Sequence, residues 1–144
     1  MTPRDLDTGV VQARLRLIDE LLDDLERAGE LTGELLTRDR MLRHAIERIL
    51  SQIVELAVSV NGHVSATVLG KAPADYRSSF DLAAAAGLID RELSATLQPS
   101  VGLRNVLAPE YVDVDLELVV LAARKASIDY RSYVRTASEW LRRR

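Results

Sequence analysis

The sequence predicts an all-α protein: an antiparallel bundle of five to six helices forming one domain over residues 1–144. Three observations lead there. Apolar residues recur at spacings of three and four along several stretches, the repeat of one helix face. Aromatic residues make up 4% of the chain while hydrophobic residues make up 47%, so aliphatic side chains must fill the core. A chain of 144 residues has the usual length of a single domain and buries about two thirds of its unfolded surface.

The first helix is set by Val10, Val11, Leu15, Ile18, Leu21, Leu22 and Leu25, an amphipathic stripe that Gly29 and Thr32-Gly33 bring to an end. From about Thr37 a long helix carries Met41, Leu42, Ile46, Ile49, Leu50, Ile53, Val54, Leu56, Ala57, Val60, Val64 and Val68. It is apolar around much of its circumference, which predicts a central place in the bundle. The stretch "GKAPADY" reads as a loop because Gly70 and Pro73 interrupt helix. Shorter helices are expected near Ser79 to Ala86 and Asp90 to Gln98, with Gly87 as a C-cap between them. Pro99 opens a further segment running through Arg104, since proline is tolerated in a first helical turn. The last helix begins among carboxylates and finishes in arginines, each sign suiting its end of the helix dipole.

Composition narrows the chemistry. The absence of cysteine removes disulfides, thiolate metal sites and thiol redox chemistry, and fits a reducing compartment. Asp5 and Asp7, with no uninterrupted apolar run, do not resemble a signal peptide. No window approaches the roughly 18 apolar residues of a membrane span, so a cytoplasmic protein without membrane contact is expected. Of the two histidines, His44 lies among Arg40, Arg43 and Arg48 and is expected to be exposed. No carboxylate pair accompanies either at ligand spacing, so neither a metal nor another cofactor is expected. A serine hydrolase site is set aside for want of a nucleophile-elbow sequence. A net charge of −3 argues against broad attraction to nucleic acid, although a total can hide a local basic surface.

One string departs from the helical pattern: "GLRNVLAPEYVDVD", Gly102 to Asp115, is polar and carries a helix breaker. It resembles the signature of the HepT-like proteins of the HEPN superfamily. There, an arginine followed by asparagine precedes a histidine, then one residue, then a tyrosine and a later aspartate. The matching positions are Arg104, Asn105, Pro109, Tyr111 and Asp115. Further segments are similar in order and spacing, namely "AIERILSQIVELAVSVNGHV", "APADYRSSFDLAAAAGLID" and "LELVVLA". The resemblance thus runs from about Arg38 to Val120.

It implies a HEPN-like helical homodimer. In active members it implies a metal-independent endoribonuclease that acts as the toxin of a HepT/MntA-type (type VII) toxin–antitoxin pair, with transfer RNA among its candidate targets. The implied partner is a MntA-like minimal nucleotidyltransferase that transfers AMP groups from ATP to the motif tyrosine, here Tyr111. Cleavage without a metal needs a base for the 2′-hydroxyl proton, an acid for the leaving oxygen and a cation on the phosphate. Histidine titrates near neutrality and arginine presents a fixed fork of donors, which suits them to those tasks.

Pro109 occupies the histidine position and has no titratable group. Loss of general acid–base catalysis costs typically about 10²–10⁴-fold, so impaired cleavage is expected. Two origins of Pro109 stay open: a naturally degenerate homologue, or a change that relieved toxicity, since one nucleotide converts a histidine codon to a proline codon. Proline also disfavours helix at Ala108 and so suits a helix end.

On the long helix Glu55, Ser59, His63 and Thr67 form a polar stripe at a spacing of four. Asn61 and His63 resemble the family's asparagine-histidine feature, so Asn61, Glu55 and His63 are expected, with Asn105, to support the site or the dimer seam. A hydrogen-bonded structural histidine beside an exposed glutamate is the bland alternative. Late basic residues, Arg124, Lys125, Arg131, Arg135 and Arg142 to Arg144, read either as an RNA-facing surface or as solvated charge.

Overall fold

The computed structural model describes residues 5–103, 107 and 115–144. Among them are six α-helices and a short 3-10 helix. These are α1 (Thr8–Arg27), α2 (Gly33–Arg38), α3 (Arg40–Val68), α4 (Tyr76–Ala85), α5 (Arg91–Leu97), the 3-10 turn Gln98–Gly102, and α6 (Leu116–Arg142). No described helix is long and apolar enough to cross a membrane.

Local chemistry fixes where each helix begins. Asp7, Thr32, Asp39, Asp75, Asp90 and Asp115 each accept a backbone N–H of their helix's first turn, satisfying donors that have no partner inside the helix. Asp39 closes α2 and caps α3, so the long helix expected from Thr37 is in fact preceded by a separate short one. The non-helical dihedrals of Thr32 and Asp39 delimit that short helix, which the hydrophobic spacing alone could not reveal. Asp75 and Ser78 form a reciprocal capping box, which moves the start of α4 ahead of the expected Ser79. Its hydrogen bonds to Ser78 hold the Asp75 carboxyl below the usual carboxylate range. Gly87, at φ 86°, ends α4 as expected, in a conformation that side chains with a Cβ rarely adopt.

Residue pairings give the topology. Arg131 of α6 meets Asp19, Asp23 and Glu26 of α1, while Arg142 lies across from Gln12 and Arg124 from Gly29. Helices α1 and α6 are therefore antiparallel. Helix α1 is antiparallel to α3 as well, since Asp7 reaches His63 and Asp24 lies beside Arg48. Helices α3 and α6 consequently run in the same direction, and α4, α5 and the 3-10 turn carry the chain back between them.

The core is mainly aliphatic, with Val11, Ile18, Leu22, Leu36, Ile46, Leu50, Ile53 and Leu97 buried. Its aromatic centre is Phe80, Tyr130 and Tyr133, packed edge to face with Tyr133 ring centroids 6.5 Å from Phe80 and 6.0 Å from Tyr130. Both tyrosine hydroxyls find partners. Tyr130 pairs with Ser100 at 2.6 Å, whereas Tyr133 donates to Asn61 Oδ1 at 2.7 Å and reaches the Ala57 carbonyl at 3.2 Å. Asn61 Nδ2 in turn donates to Ser79 Oγ of α4 at 3.3 Å. Burial pushes both phenols well above their ordinary values, so they remain neutral hydroxyls.

Replacing Tyr133 by Phe leaves Asn61 Oδ1 buried without that donor. Unfolding in denaturant should show a loss of about 1–3 kcal/mol, the cost of a stranded buried polar group. An unchanged transition midpoint would mean that the Tyr133 hydroxyl contributes nothing.

Candidate functional site

Arg104, Asn105, Pro109 and Tyr111 lie outside the described residues. The described residues that flank them in sequence are Leu103, Leu107 and Asp115. On one side Leu103 follows the 3-10 turn, in which Pro99 occupies the first turn as its fixed φ predicts. The Leu107 amide donates to the Leu103 carbonyl at 2.8 Å, and Leu107 packs on the core. On the other side Asp115 caps α6, its carboxylate accepting from the Glu117 amide at 3.0 Å. The motif aspartate thus has a structural role: it starts the helix that follows the motif.

The first turn of α6 is also held from the side. Glu117 lies so close to Gly33 that a Cβ there would come within 2.1 Å of its carboxylate oxygen. The atoms met are the end of a flexible, exposed side chain, so Glu117 lies over the start of α2 without dictating glycine there.

Beside the motif's flanks opens an apolar groove of about 400 Å³ between α3, the 3-10 turn and α6. Leu50 and Ile53 line one wall, Pro99 and Leu103 another, and Leu118 and Leu121 a third. Leu118, Leu121 and Ile128 are 46%, 58% and 70% exposed, an unusual amount of aliphatic surface on one helix. Among the described residues, Lys125 and Asp129 are the charged groups of this groove. Partial burial raises the Asp129 carboxyl above its ordinary value, and Lys125 pulls it partly back.

The expected supporting residues divide among three environments. Asn61 is fully buried and joins α3, α4 and α6 through Ser79 and Tyr133. His63 is half-buried, and its Nε2 accepts the Asp7 amide at 3.1 Å, so it fastens the start of α1. Glu55 is exposed and, with Ser59, lines a separate groove between α1 and α3 that also holds Arg14 and Arg48. Thr67 returns its hydroxyl to the His63 carbonyl. Along the axis of α3, Asn61 and His63 lie about 10–20 Å beyond the Leu50 to Val54 stretch that faces Leu103. His44 is exposed. No group of side chains able to hold a metal occurs among the described residues.

Comparison with known proteins decides the lineage. The model of the family described as "Ribonuclease HepT-like" matches residues 18–137. The chain belongs to the HepT-like family. A tRNA nuclease HepT of Aphanizomenon flos-aquae is 28% identical over 138 residues, covering 95% of this chain and 93% of that protein. An mRNA nuclease HepT of Shewanella oneidensis is 26% identical over 102 residues, covering 71% and 77% respectively. Among solved structures, a tri-AMPylated Shewanella oneidensis HEPN toxin in complex with an MNT antitoxin superposes with a TM-score of 0.79 at 22% identity, covering 90% of this chain and 97% of that one. A mutant MntA toxin–antitoxin complex gives 0.80 at 22% identity, with 91% and 98% covered. These superpositions establish the HEPN fold.

Sequence reasoning missed the exposed stripe of this HepT-like chain. Leu118, Leu121, Lys125 and Ile128 recur at spacings of three and four opposite the buried face of α6, a signal that was present but masked by the core pattern of the same helix.

Asp129 gives a pH-dependent expectation. A folded-state carboxyl held above its unfolded value opposes folding only when ionised. The penalty is therefore absent at acid pH and grows as pH rises through the folded value. Asp129→Asn should match the parent near pH 3 and melt higher at pH 7. A difference in melting temperature that does not vary with pH would rule out this origin.

Proposed function

We propose that this chain is a HepT-type endoribonuclease toxin, working without a metal in the cytoplasm as a homodimer and controlled by an MntA-like nucleotidyltransferase. The observation that carries the reading is the ordered set Arg104, Asn105, Tyr111 and Asp115 inside a chain matched by the family model over residues 18–137. Nuclease relatives and the toxin–antitoxin complexes of the same fold support it.

In this reading Arg104 holds a non-bridging phosphate oxygen with its guanidinium fork. The RNA 2′-hydroxyl attacks the adjacent phosphorus as a base takes its proton, and the bond to the 5′-oxygen breaks as an acid supplies one. Those transfers are the work of the family histidine, and Pro109 cannot perform them. Inactivation by the partner forms a bond between the Tyr111 hydroxyl and the α-phosphorus of ATP, with pyrophosphate leaving. AMP on Tyr111 would set a bulky anion where RNA phosphate must sit. The exposed Leu118 and Leu121 in the first turns of α6, with Ile128 farther along the same face, support a dimer seam there, which would bring two motifs face to face. A monomeric mass by light scattering would remove that part of the proposal.

Pro109 specifically favours a second reading, a non-catalytic HEPN-like module that holds RNA or a nucleotidyltransferase without cleaving.

Restoring Pro109→His should raise cleavage of transfer RNA or messenger RNA by at least about 10²-fold. Equal activity of the two chains would sink the role given to the missing histidine, and inactivity of both would leave the second reading. Incubation with an MntA-like enzyme, magnesium and ATP should add AMP to the chain by mass spectrometry, with the adduct lost in Tyr111→Phe. An adduct surviving that substitution would place the modification elsewhere.

A further inference from the structure

We propose that the groove between α1 and the C-terminal half of α6 is a second RNA contact, a phosphate-binding track remote from the motif. The inference rests on the ribonuclease reading above. The groove, of about 420 Å³, has a floor of Leu15 and Leu141 and a polar rim of Gln12, Arg16, Ser138 and Arg142. Because α1 and α6 are antiparallel, Arg16 and Arg142 stand on opposite rims.

Charge pairing separates this groove from the rest of the interface. One to three turns along, Arg131 is taken up by Asp19, Asp23 and Glu26, so the late basic residue best placed on the α1 side is not free for RNA. Asp19, which closes that end of the groove, is already engaged by Arg131. Neither Arg16 nor Arg142 makes an ion pair among the described residues, and both are exposed. Two free guanidinium groups flanking an uncharged donor pair, Gln12 and Ser138, suit consecutive phosphates of one strand. Complementing the dipole of α6 would account for Arg142 but leaves Arg16, on the other helix, unexplained.

Position then selects the ligand. Arg142 lies 26 residues beyond Leu116, about 40 Å along α6 from the motif's edge. Only an RNA extended over such a distance reaches both, which points to a folded or helical RNA rather than a short oligonucleotide. Double-stranded RNA domains track comparable lengths, roughly 16 base pairs, through shape and phosphate contacts.

The test compares the chain with an Arg16→Ala/Arg142→Ala variant in binding to transfer RNA across a salt series. Each phosphate contact contributes about 0.7–0.9 to the slope of log affinity against log salt, so the double variant should lose about 1.4–1.8. Arg16→Lys/Arg142→Lys should largely keep it, and a hexanucleotide should show the same slope on both chains. Arg77→Ala/Arg91→Ala, which removes equal charge from exposed sites on α4 and α5, should leave the transfer RNA slope near the parent value.

An unchanged slope in the groove variant overturns the track while leaving the ribonuclease reading intact. So does an equal fall in the Arg77/Arg91 control, which would reduce the effect to net charge. Loss of nucleotidyltransferase binding with RNA binding intact would reassign the groove to the protein partner and overturn it too. No RNA binding by the parent chain at low salt overturns both readings.

Discussion

The hydrogen bond between Tyr133 and Asn61 is the constraint on which the bundle depends. It lies where α3 and α6 pass side by side in the same direction, and through Ser79 it engages α4 as well. Parallel neighbours cannot be joined by a short loop, so the connection between α3 and α6 must be long. That connection contains α4, α5, the 3-10 turn and the whole of the motif. A polar pair buried among aliphatic side chains is costly unless both members are satisfied, and that requirement favours the observed register of α6 on α3. The register in turn places the Asp115 cap, where α6 begins, against the rest of the bundle.

Capping does for the ends of helices what this pair does for their centres. Five of the six α-helices begin at an aspartate, so the acid-rich composition has a local purpose besides setting net charge. Asp115 shows how a motif position and a cap coincide. The aspartate of the motif is also the residue that starts the next helix, among the carboxylates expected at that helix's N-terminus. Two residues on, the Glu117 side chain lies over Gly33, so α2 sits beside the first turn of α6.

Much of this was legible in the sequence because it rests on spacing. The stripes of α1 and α3, the Gly87 cap and the start at Pro99 all follow from periodicity or from residues with restricted dihedrals. The division between α2 and α3 was not legible, since Asp39 breaks the backbone without interrupting the apolar pattern. Nor could spacing tell the members of the polar stripe on α3 apart. His63 binds a backbone amide 56 residues away, Glu55 faces a groove, and the adjacent Asn61 is a core residue, distinctions that depend on what α1, α4 and α6 bring against each face. The motif itself was legible through resemblance, its chemistry being a matter of residue identity more than of periodicity.

The knot of Arg131 with Asp19, Asp23 and Glu26 has an electrical consequence. One positive group among three negative ones leaves an acidic band across the middle of the α1–α6 face, with free arginines beyond it toward the end of α6. The face is therefore a dipole on the scale of the molecule, screened over about 8 Å at physiological salt but felt within that range. A polyanion beside this face is favoured over Arg16 and Arg142 and, where it continues toward the motif, stands off the acidic band between them. An ion pair that looks like ordinary helix-to-helix bracing thus also decides from which direction a charged chain can approach.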